Sequence, residues 1–90
     1  MYTVHWSKTA LDELTELWLA ADSSQRERIT SVIESTDRQL SIDPLAVGES
    51  REQGRRVFFE PPLGMALRID EVDRIVQVLH VWRISIRPAA

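Results

Sequence analysis

The 90-residue sequence contains no cysteine, one tyrosine and one lysine. Without cysteine, a disulfide framework, a thiolate zinc site and a cysteine nucleophile are excluded, and a reducing, cytoplasmic setting is expected. No apolar run approaches the roughly 20 residues a membrane helix needs, so no membrane partner is expected. Tyr2–Trp6 is followed at once by polar residues, which is unlike a secretion leader. Its length and 43% apolar content leave room for one hydrophobic core, so a single domain over residues 1–90 is expected. His5 and His80 lie far apart in sequence with no third ligand beside either, and no metal is expected.

What is present is arginine. Ten of the eleven basic residues are arginine, whose planar guanidinium matches phosphate and carboxylate as a lysine ammonium does not. Genomic base composition produces the same bias, so residue type alone names no ligand. The net charge of −3 hides an asymmetry. Residues 1–50 carry four basic and nine acidic groups, net −5, whereas residues 51–90 carry seven arginines against five acids, net +2. A strongly basic nucleic-acid binder is excluded.

Tyr2–Trp6 is predicted as a first strand. Ser7 is placed to cap a helix whose inner stripe is Leu11, Leu14, Leu17, Trp18 and Ala21. Ser24-Gln25-Arg26-Glu27 has the form of a capping box for a second helix with Ile29, Val32, Ile33, Thr36 and Leu40 inside. That helix must stop by Asp43, because Pro44 disfavours helical geometry in the residue before it. Residues 44–54 read as a polar loop, long enough to be functional. Strands are predicted over Arg55–Glu60, Met65–Asp70 and Arg74–Trp82. Alternation in the last puts Ile75, Leu79 and Val81 on one face and Val76, Val78, His80 and Trp82 on the other. The order is β-α-α-β-β-β. It predicts an α+β fold with a helical hairpin packed on one face of a small, mainly antiparallel sheet.

At this point the residues resemble a known family. Tyr2-Thr3-Val4-His5-Trp6-Ser7, with Ala10 and Leu14 on the next helix, is similar to the start of the RelE/ParE toxins of bacterial type II toxin–antitoxin modules. The likeness continues through Asp43-Pro44, Gly48-Glu49-Ser50-Arg51, Arg56-Val57-Phe58, Pro62-Leu63 and Leu67-Arg68-Ile69-Asp70, and ends in Asp73–Trp82. It spans almost the whole chain. It implies a toxin neutralised by a cognate antitoxin, acting without a cofactor. RelE-like members cut messenger RNA on the ribosome without a metal, whereas ParE-like members poison DNA gyrase. Both stay open, as does a toxin-fold binding module without activity. RelE-like nucleases carry a basic residue at the start of the third strand, where this chain has Leu63-Gly64-Met65.

If the chain cuts RNA, the ribose 2′-OH attacks the adjacent phosphate. That reaction needs a base, cations for the phosphate oxygens and an acid for the leaving 5′-oxygen. The expected catalytic residues are His80 as acid, Arg68 as cation and Glu49 as base. Arg51, Arg55, Arg56 and Arg83 are candidates for phosphate, and Trp82 for stacking on a base. A groove exists if Arg68, His80 and Trp82 share the sheet face away from the helices. Each residue also has a purely structural reading. Glu49 and Arg51 form an exposed ion pair, Arg55 and Arg56 guard a strand edge, and Arg68 pairs with Asp70. A histidine in an apolar strand is ordinarily buried and hydrogen-bonded, and Trp6, Trp18 and Trp82 are ordinarily core. Antitoxin routes include an acidic tail over the arginines of residues 51–83, an added strand, or apolar contacts at Leu19 and Val47.

Overall fold

Ser7 starts the first helix as its position predicts, with extended backbone and its Oγ accepting from Ala10 N at 3.0 Å. In the computed structural model, which describes residues 1–84, the elements run β1 (Thr3–Trp6), α1 (Lys8–Ala20), α2 (Ser23–Ile42), β2 (Glu49–Ser50), β3 (Arg55–Glu60), β4 (Leu63–Asp70) and β5 (Ile75–Arg83). Arg87 lies outside the described residues. The α+β architecture is as expected, with one strand more. Glu49 and Ser50 pair antiparallel with Val57 and Arg56, making part of the predicted loop an edge strand. Two 3-10 turns, Pro44–Ala46 and Glu52–Gly54, flank it. Gly48 permits this path: its φ is +69°, and a Cβ there would collide with the Val57 carbonyl.

The sheet order is β1-β5-β4-β3-β2, with β1 parallel to β5 and every other pair antiparallel. The helices cover one face. Leu63, Met65, Leu67 and Ile69 of β4, Phe58 of β3, and Val76, Val78 and Val81 of β5 are buried there with Ala10, Ala21, Ile29 and Leu40 of the hairpin. Burying each large apolar side chain contributes roughly 1.5–3 kcal/mol.

The hairpin differs from the predicted pattern at its turn and along the inner stripe of α1. The capping box is formed by Asp22 and Gln25, not by Ser24 and Glu27: Asp22 Oδ1 accepts from Gln25 N at 2.8 Å and Gln25 Oε1 from Asp22 N at 3.0 Å. Asp22 wins because α1 ends at Ala20, which leaves Asp22 the extended residue where the next helix begins. On α1 the buried residue is Ala10, while Leu11 and Trp18 are 48% and 38% exposed. Trp18 instead lies beneath Arg26, whose guanidinium carbon is 5.5 Å from the ring centroid. Trp6 is part-buried and donates from Nε1 to Asp37 Oδ1 at 3.1 Å, tying α2 to β1. Val47 is buried, so it offers no surface to a partner, whereas Leu19 is exposed.

Thr36 is fully buried in α2, and its Oγ1 has no hydrogen-bond partner among the described residues. An unsatisfied buried hydroxyl costs roughly 1–3 kcal/mol. Thr36→Val, of nearly the same shape, is expected to raise stability by about 1 kcal/mol, several degrees in melting temperature. A thermal or urea transition that falls instead would show that the hydroxyl is satisfied.

Candidate functional site

The uncovered sheet face is built by alternation and by one bulge. Along β4, Gly64, Ala66, Arg68 and Asp70 point away from the helices, opposite the buried Leu63, Met65, Leu67 and Ile69. β5 changes phase partway. Ala66 pairs with His80 but Leu67 pairs with Val78, so Leu79 is an extra residue in β5. Val76 and Val78 face the core before it, and Val81 after it. The even alternation predicted for β5 is thereby corrected. His80 and Trp82 lie on the uncovered face, while Arg83, opposite the buried Leu63, is turned to the helix side.

Ser7 holds this irregularity in place. Its N–H donates to Val78 O at 3.0 Å, and its hydroxyl donates to the Leu79 carbonyl at 3.1 Å. One residue therefore both starts α1 and fastens the bulge.

Cross-strand register arranges the open face in rows. One row runs Arg55, Arg68, Gln77 and His5; the next runs Glu49, Val57, Ala66 and His80; a third runs Phe59, Gly64 and Trp82. Arg68, His80 and Trp82 do share the face away from the helices. His80 is not buried as an apolar strand suggested: its side chain is 56% exposed, because β1 stops at Trp6 opposite Val78 and leaves that stretch of β5 without a strand neighbour. Its Nδ1 lies 3.2 Å from Glu13 Oε1 on α1.

Arg55 and Arg68 are directly opposite one another. Neither makes an ion pair within 4 Å among the described residues. Asp70, the sequence-suggested partner of Arg68, instead accepts at Oδ1 from Val72 N and Asp73 N, both at 3.0 Å. Like charges opposite each other in a sheet are mildly unfavourable, and an anion between them removes that penalty.

Beside them, Trp82 and Phe59 meet edge to face with ring centroids 6.1 Å apart. The Trp82 indole lies so close over Gly64 that a Cβ there would come within 2.6 Å of it.

The other candidates are elsewhere or already bonded. Glu49 is three strands from His80, roughly 14 Å across the sheet. It also pairs with Arg51 at 3.2 Å, in the exposed ion pair that the structural reading anticipated. Arg56 faces the helix side and donates to the carbonyls of Val47 and Gly48 at 2.8 and 3.2 Å, fastening the segment before β2. Arg83 lines a small cavity of about 80 Å³ with Leu17, Ala21, Arg28 and Leu63. Sequence reasoning set His5 aside, yet it is exposed on the open face in the row of the two arginines, one strand from β5. Only sheet register reveals that placement. No cluster of three or more metal-ligating side chains occurs among the described residues.

On the helix side, Leu14, Trp18, Ile29 and Ile33 line an open apolar groove of about 490 Å³ between α1 and α2. No helix among the described residues is long and apolar enough to cross a membrane.

The fold is that of the RelE/ParE toxins. A chain of the RelBE2 toxin–antitoxin complex from Mycobacterium tuberculosis superposes with a TM-score of 0.71 at 24% identity, over 92% of this chain and 91% of that one. A chain of the chromosomal ParDE system of P. aeruginosa matches with a TM-score of 0.68 at 16% identity, over 94% and 98%. The intact E. coli RelBE complex provides a third match, with a TM-score of 0.60 at 15% identity, over 96% and 100%. In sequence, no family model and no curated protein matches the chain.

Proposed function

We propose that this chain is the toxin of a type II toxin–antitoxin module and that its open sheet face cleaves messenger RNA on the ribosome. One observation carries the reading: Arg55 and Arg68 stand side by side without carboxylate partners, on the same face as His80 and an aromatic pair. The two guanidinium groups neutralise a scissile phosphate and the charge that builds on it. The 2′-oxygen bonds to phosphorus, and the bond from phosphorus to the 5′-oxygen breaks. His80 gives a proton to that leaving oxygen, leaving a cyclic phosphate and a 5′-hydroxyl. His5, with its Cα roughly 9 Å from that of His80 by strand geometry, takes the 2′-OH proton in place of the distant Glu49. Trp82 and Phe59 offer flat apolar surface to unstacked bases.

Two or three cations give little hold on free RNA, since affinity grows with the number of phosphates neutralised. The ribosome presents the message instead. A cognate antitoxin that seats an apolar helix in the α1–α2 groove would complete the module, in keeping with the toxin–antitoxin complexes that share the fold.

The test is message integrity after induction in a bacterial host. Wild type is expected to leave cut messages in translating ribosomes, and the Arg55→Ala/Arg68→Ala double variant to lose roughly 100-fold or more of that cleavage. Growth arrest with intact messages and inhibited DNA supercoiling would overturn the reading in favour of gyrase. The likeness to the P. aeruginosa ParDE chain supports that alternative. Harmless overexpression would leave a binding module.

A further inference from the structure

We infer that Glu13 is a positioning residue that fixes the proton on one particular nitrogen of His80, an inference that rests on the cleavage reading above. Glu13 lies on α1, far from β5 in sequence, yet its Oε1 sits 3.2 Å from His80 Nδ1 and 3.4 Å from the backbone nitrogen of Val81. Both contacts follow from the shortness of β1. Its pairing with β5 ends at Val78, so the Val81 N–H has no neighbouring strand to receive it. A carboxylate from the helix that Ser7 starts at that same point replaces the missing strand.

An ionised carboxylate accepts hydrogen bonds and cannot donate them. His80 must therefore carry a proton on Nδ1 to make the contact. Its Nε2 has no hydrogen-bond partner among the described residues. In the neutral ring Nε2 is then a bare acceptor, and in the charged ring it holds the proton available for transfer. This is the work an orienting carboxylate performs behind any acid–base histidine: it selects the tautomer and anchors the ring. Because the same oxygen also binds a backbone N–H, the anchor is itself tied to the strand that carries the histidine.

A neutral histidine free in water favours the other form, with its proton on Nε2. Nitrogen-15 NMR of the ring, at a pH where it is neutral, distinguishes the two. Wild type is expected to show Nδ1 protonated, and Glu13→Ala to shift the ring to the Nε2-protonated form. Glu13→Gln, whose amide oxygen still accepts, is expected to keep the wild-type form, and it serves if Glu13→Ala fails to fold. Cleavage of messages is expected to fall roughly tenfold or more in Glu13→Ala.

An Nε2-protonated ring in wild type overturns the inference. So does a folded Glu13→Ala variant with an unchanged tautomer or undiminished cleavage. If wild type shows the Nδ1 form but cuts no message, the orientation by Glu13 stands and the cleavage reading alone falls.

Discussion

Messages should survive induction of the His80→Ala variant. Removing a general acid typically costs 10²- to 10⁴-fold, about 3–5 kcal/mol of barrier, and the loss here is expected in that range. The side chain is more than half exposed and outside the core, so the fold is expected to persist. Circular dichroism and the melting temperature check that. Primer extension on ribosome-bound messages measures the cleavage. Wild-type cutting by a folded His80→Ala protein would remove His80 from the chemistry. Retained growth arrest without cutting in both proteins would point to a target other than message.

Gly64→Ala is expected to displace Trp82 and lower the melting temperature by roughly 5–15 °C. Alanine is ordinarily preferred to glycine within a strand by roughly 0.5–1 kcal/mol. At Gly64 that preference is outweighed, because the added Cβ would lie 2.6 Å from Cε2 and Nε1 of the indole and 2.8 Å from Cζ2. Relief requires the ring to move, which forfeits its contact with Phe59, worth about 0.5–1.5 kcal/mol. The remaining strain brings the net cost to roughly 1–3 kcal/mol. Near-ultraviolet circular dichroism follows the Trp82–Phe59 pair directly. An unchanged aromatic signal together with an unchanged transition would show that the ring does not lie over Gly64.

Much of the fold was legible because its signals are local. Ser7 caps α1, Asp43-Pro44 ends α2, and Ile29, Thr36 and Leu40 face inward as their spacing implies. Arg55–Glu60 is a strand with the predicted limits. Strand β2 was not legible: two residues carry no periodicity, and the segment leading into them is fastened by the Arg56 guanidinium and turns at Gly48, contacts made across the fold. For the site, residue types were readable but not their grouping. Glu49, Arg51, Arg55, Arg56, Arg68, His80, Trp82 and Arg83 were all candidates by chemistry. Tertiary contacts divided them into an open-face group, an edge ion pair, a loop fastener and a helix-side arginine.

By itself the sequence determined the order of the main elements, the inward-facing residues of α2 and the concentration of arginine in the second half, because caps, prolines and hydrophobic periods act within a few residues. Which side chains meet was decided only by the folded chain. A single extra residue, Leu79, inverts the phase of β5, which sends His80 and Trp82 to the face of Arg68 and turns Arg83 away. Its carbonyl is held by Ser7, 72 positions away in sequence, and His80 is held by Glu13, 67 positions away. No window of neighbouring residues contains either partner, since both depend on α1 closing over a strand formed at the other end of the chain.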